Sequence, residues 1–84
     1  MSLTFNRDET EEKVWVSEPF GYSCTTVYKT AVSLHLYKHQ IKATMSTISS
    51  DYETAIKLRF PTDVDEATFI MYISALDEIG RAHV

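Results

Sequence analysis

Cys24, His35, His39 and Asp51 are the residues of this 84-residue chain whose types and spacing come closest to chemistry. Nucleophilic catalysis needs a nucleophile, a base and an orienting group in one cleft. Cys24, His35 and Asp51 supply those types, yet no motif draws them together. His35 and His39 are four apart, a spacing that chelates zinc on a helix. On a strand the pair would stand about 13 Å apart, at roughly 3.3 Å per residue, too far to share an ion. Cys24 has no CxxC partner, and His83 sits in the tail. The expectation is a protein with no catalytic residue, no metal and no cofactor.

The elements that must position any site are those of one small domain spanning 1–84, with residues 1–12 frayed or forming an edge strand. A chain of this size buries only about 60–65% of its unfolded surface, so oligomers, metals or disulfides often supplement its core. One cysteine permits no internal disulfide and fits a reducing compartment. No run of apolar residues is long enough to span a membrane, and the start lacks a signal-peptide pattern. A cytoplasmic, membrane-free protein is expected. Composition is that of a globular chain, with 44% hydrophobic residues, 24% charged residues and only two glycines and two prolines, so disorder is excluded.

The net charge of −4 argues against a general nucleic-acid coat. It conceals a segregation. Residues 1–21 hold two basic and five acidic side chains, 22–60 five basic and two acidic, and 61–84 one basic and five acidic. The middle is basic and both ends are acidic.

Lys13-Val14-Trp15-Val16-Ser17 is rich in β-formers and reads as a strand, closed by a turn at Pro19 and Gly21. Residues 22–48 admit two readings. Val27, Ala31, Leu34, Ile41 and Met45 fall at rough helical spacing, whereas Val32, Leu34, Leu36 and then Ile41, Ala43, Met45 alternate as strands do. The abundance of Thr and Val favours strands. The expectation is a hairpin turning near Lys38-His39-Gln40. A third alternation, Ile56, Leu58, Phe60, ends at Pro61. Thr62 then caps a helix, with Asp63, Asp65 and Glu66 in its first turn. Phe69, Tyr72, Ile73, Leu76 and Ile79 form its core stripe, and Gly80 is its expected stop. The predicted fold is α+β: a small antiparallel sheet of three to four strands in a meander, packed by one C-terminal helix. That order of elements, without a shared residue motif, resembles the Whirly-type single-strand-binding domains; the likeness is one of layout, which many unrelated functions share.

If Val14, Val16, Val32, Leu34, Leu36, Ile41, Ala43, Met45, Ile56, Leu58 and Phe60 face that helix, the other face is set by alternation. It carries Lys13, Trp15, Lys29, His35, Tyr37, Lys42, Lys57 and Arg59. Cations that follow phosphates and rings that stack on bases make such a face a candidate for single-stranded nucleic acid. An ordinary solvated sheet face has the same composition, and a protein partner would also fit it. Val64, Ile70 and Met71 lie off the core stripe and are the candidate subunit interface; a wider core contact would explain them equally well. Asp77 and Glu78 stand where the helix dipole disfavours acids, next to Arg81; a basic partner is one use for such a patch. The sequence therefore predicts a non-catalytic interaction module that self-associates as a homodimer and binds a protein partner. The alternative is a single-stranded nucleic-acid binder.

Overall fold

In the computed structural model, which describes residues 3–82 and the side chains as far as Leu76, the chain is an α+β domain of five strands and two helices. Three strands come first: β1 (Phe5–Arg7), β2 (Val14–Ser17) and β3 (Phe20–Gly21). A short 3-10 turn over Tyr22–Cys24 leads into helix α1 (Thr25–Lys38). Strands β4 (Thr44–Ser49) and β5 (Glu53–Arg59) and helix α2 (Asp63–Ala82) complete the order.

All pairings are antiparallel. The central strand is β5: β4 lies along one side of it, β2 and β3 end to end along the other, and β1 flanks β2. Pro19 explains the break between β2 and β3, because it has no N–H for a ladder. The Ser17 hydroxyl fills the gap by accepting the Ile56 N–H at 2.8 Å. Since β2 and β4 both run opposite to β5, they are parallel to each other. The chain β2/β3–α1–β4 is thus a split β-α-β unit with β5 inserted later between its strands. The predicted meander of three to four strands is corrected to this order, and the layout behind the Whirly resemblance goes with it. Within the expected frayed or edge segment, Phe5–Arg7 form an edge strand, with Leu3 and Phe5 buried.

The largest correction is residues 22–38, where a helix replaces the first strand of the expected hairpin. Tyr28, Ala31, Val32, His35 and Leu36 are its buried face, at the i, i+3, i+4, i+7, i+8 positions of an amphipathic helix. Propensity penalises Thr and Val in a helix by only about half a kcal/mol each, whereas burying one large apolar side chain yields about 1.5–3 kcal/mol. Its end is a Schellman motif. Gln40 adopts a left-handed conformation (φ 55°), its N–H bonds the Tyr37 carbonyl at 3.2 Å, and the Ile41 N–H bonds the Leu36 carbonyl at 2.9 Å. Leu36 and Ile41 are both buried, as the motif's apolar contact requires. The predicted second strand begins late, at Thr44 rather than Ile41.

The start of α2 is the one expected. Thr62 Oγ1 accepts the Asp65 N–H at 3.2 Å and donates to the Asp65 carboxylate. That bond, with the Lys42 N–H donated to Asp65 at 3.0 Å, holds the Asp65 carboxyl below its ordinary pKa. The helix does not stop at Gly80 but continues to Ala82; one glycine inside a helix costs only about 1 kcal/mol. His83 and the side chains of Asp77, Glu78, Ile79 and Arg81 lie outside the described residues. The core lies between the sheet and both helices, with Phe69 at its centre against the rings of Phe5, Trp15, His35 and Phe60.

Trp15 shows how one strand's phase is set. It sits opposite Leu58 and therefore points toward the helices, while Val14 and Val16 sit opposite Arg59 and Lys57 on the outer face. The predicted phase of β2 is thereby inverted. A Trp ring brings more apolar area to a core than Val but needs a partner for its N–H. Glu66 supplies it, accepting from the indole at 3.0 Å. Glu66 is itself buried, with Arg7 at 3.6 Å. Replacing Glu66 by Ala is expected to cost about 1–3 kcal/mol by orphaning the indole N–H. Glu66→Gln keeps an acceptor and loses only the pairing with a largely exposed Arg7, so less than about 1 kcal/mol. Urea midpoints of the two variants check this; equal losses would show that the indole bond contributes nothing.

Candidate interaction surface

The eight residues assigned to one basic face are dispersed over the sheet, α1 and the segments ahead of β2 and β4. Lys57 and Arg59 alone are on the outer face of the sheet, and Glu11 bridges them at 3.4 and 2.6 Å. Those contacts bring the turn that carries Glu11 to the face on which Val14 is buried, and the Asp8 N–H bonds the Val14 carbonyl at 2.8 Å. Bonds from Thr10 to Asp8 stiffen the turn and lower the Asp8 pKa. Trp15 belongs to the opposite, helix-covered face. His35, Lys29 and Tyr37 are on α1, the first buried in the core, the second along a groove, the third 85% exposed. Lys13 precedes β2 and meets Asp63 at 3.5 Å, and Lys42 is exposed ahead of β4. Alternation along a continuous strand was the signal for a common face, and α1 removes it.

Cys24, His35 and Asp51 are likewise apart. Eleven residues of helix between Cys24 and His35 correspond to roughly 16 Å, and Asp51 is exposed in the β4–β5 turn. His35 and His39, expected far apart on a strand, instead adjoin on one helix face with ring centroids 4.7 Å apart. His39 stacks on Tyr72 of α2 at 3.9 Å. His35 is 1% exposed, and neither ring nitrogen has a hydrogen-bond partner. Burial lowers its pKa from 6.5 to about 4, with repulsion from His39 and Lys38 adding to the effect. Among the described residues, no three His, Cys, Asp or Glu side chains are placed to hold a metal ion. No helix there is long and apolar enough to cross a membrane.

Val64, Ile70 and Met71 point to solvent from the outer side of α2, so a wider core contact does not explain them. Comparison with protein-family models, curated proteins and solved structures finds no match. The functional reading rests on surface geometry.

That geometry is most distinctive at β4. The strand has six residues, Thr-Met-Ser-Thr-Ile-Ser, and all but Met45 are exposed. One side pairs with β5 along its whole length, and the other has no strand beside it among the described residues. An unpaired strand edge presents a row of N–H and C=O groups to any extended chain, and proteins usually blunt it with lysine, proline, a bulge or shortness. The other edge, β1, follows that rule with three residues and Arg7 among them. β4 has none of these devices. Beside it, the flank of α1 turned away from α2 forms an open groove of about 650 Å³ with Met45, lined by Thr26, Thr30, Leu34 and Tyr37. Leu34 is 61% exposed there. Sequence reading misses this surface because it places Leu34 in the core. The available signal is the uncharged, proline-free run Ala43–Ser50, with Thr44, Thr47 and Ile48 as its β-formers.

Proposed function

We propose that this chain is a non-catalytic protein-interaction module that binds by strand addition at the β4 edge. One observation carries the reading: β4 is a six-residue edge with no charge or proline and, among the described residues, no strand covering it. In strand addition, main-chain hydrogen bonds supply affinity and neighbouring pockets supply selectivity. The groove between α1 and Met45, beside the open edge, supports this reading. The nucleic-acid alternative asks for convergent cations, and the sheet offers it only Lys57 and Arg59, both engaged by Glu11.

A synthetic peptide with the sequence of residues 42–51, titrated into the labelled chain, tests the reading. Amide shifts confined to β4 and the facing flank of α1 are expected, with affinity in the range of about 10 µM to 1 mM. Absence of shifts up to about 1 mM, or shifts centred on Val64, Ile70 and Met71, would overturn it.

A further inference from the structure

Resting on that reading, we infer that the occupant of the β4 edge is the β4 strand of a second copy, paired antiparallel about a two-fold axis through Ser46 or Thr47. The two five-stranded sheets then become one continuous sheet.

The charges at the ends of β4 support this occupant. Lys38 and Lys42 stand exposed before its first residue, and Asp51 and Glu53 stand exposed after its last. An antiparallel copy brings the basic end of each strand to the acidic end of the other, twice by symmetry. A parallel copy would bring like charges together at both ends, which is unfavourable across strands. The middle of the strand is neutral and raises no repulsion.

Symmetry narrows the register. An axis that makes neighbouring strands antiparallel is normal to the sheet, so directly opposed residues share a face. One residue must then oppose itself. Centring on Ser46 or Thr47 keeps all of β4 within the pairing. The same axis leaves both α1 helices on one side of the joined sheet, with their Leu34 and Tyr37 flanks turned toward each other. This gives those exposed apolar side chains, and the groove beside Met45, a common occupant. The contact closes on itself, so it ends at a dimer.

Sedimentation of the full chain over about 1–300 µM tests the inference, together with Ser46→Lys, Met71→Glu and spin-label distances. A dimer is expected for the native chain and for Met71→Glu. Ser46→Lys changes an exposed side chain opposite Lys57, whose charge Glu11 partners, so its circular dichroism should match the native chain. It places two ammonium groups across the axis and should weaken the dimer at least about tenfold. Labels on S46C in a Cys24→Ser background should lie within about 20 Å of each other. Labels on D51C should lie roughly 26–33 Å apart, at 3.3 Å per residue from the axis. Equal short distances at both positions mean a parallel pairing and overturn the inference. A native monomer that still binds the 42–51 peptide overturns the inference and leaves strand addition standing. A dimer that survives Ser46→Lys and is lost in Met71→Glu overturns both.

Discussion

Replacing Phe69 by alanine is expected to cost about 3–5 kcal/mol, the range for a large aromatic removed from a closed core. Small domains have total stabilities toward the lower end of about 5–15 kcal/mol, so this one change removes a large part of what holds the chain folded. The reason lies in what the ring touches. Its centroid is 5.0 Å from that of Phe60, 5.5 Å from Phe5, 5.8 Å from Trp15 and 6.3 Å from His35. Those four residues belong to the end of β5, to β1, to β2 and to α1. Phe69 thus joins α2 to β1, β2, α1 and the end of the central strand, and the cavity left by alanine cannot be closed by one neighbour moving. Phe69→Leu, which keeps much of the volume, should lose clearly less. Urea denaturation of both variants checks this. A Phe69→Ala loss below about 1 kcal/mol would show that the two layers do not depend on this ring.

The second large effect is a pH dependence centred on His35. Its imidazole is buried between α1 and the Phe69 ring, and its pKa falls from 6.5 to about 4. The groups nearest its charge are His39 and Lys38 on its own helix, with Tyr72 of α2 stacked on His39. Between those two pH values the unfolded chain binds a proton that the folded chain refuses. Stability is therefore fully present above about pH 6.5 and declines as pH falls toward 4, by about 3 kcal/mol in all. Asp8 and Asp65, with lowered pKa values, add their own loss at still lower pH, because the folded state prefers them ionised. The His35→Leu variant separates the two sources. It is expected to flatten the limb between pH 6.5 and 4. It should also gain about 1 kcal/mol at pH 7, since two buried nitrogens without partners disappear. Unfolding free energies measured from pH 4 to 8 decide the matter; an unchanged slope in His35→Leu would remove His35 as the cause.

The neutral, buried His35 also explains why α1 is hard to recognise in the sequence. A polar residue on the inner face, with Val27, Leu34 and Tyr37 on the outer face, leaves almost no contrast between the two sides. Alternation then gives a competing pattern of equal strength. Two of the exposed apolar residues that blur the helix, Leu34 and Tyr37, line the groove beside Met45.

The second half of the chain is legible from its residues alone. Ile56, Leu58 and Phe60 are buried as their alternation requires, Pro61 ends the strand, Thr62 caps the helix, and of the expected core stripe Phe69 and Leu76 are buried and Ile73 partly so, while Tyr72 is exposed. Each of those signals is complete within a few residues: a period of two, a missing N–H, a hydroxyl three residues before the amide it accepts. Tertiary structure alone decides three other matters. It makes residues 25–38 a helix, because burial of Tyr28, Val32 and Leu36 outweighs small propensity differences. It turns Trp15 inward, because Glu66, fifty-one residues away, offers its indole a partner. It leaves β4, among the described residues, with a strand on one side only, because β5 returns between β4 and β2. A strand's sequence shows which residues share a face; which edge remains unpaired depends on where the rest of the chain goes.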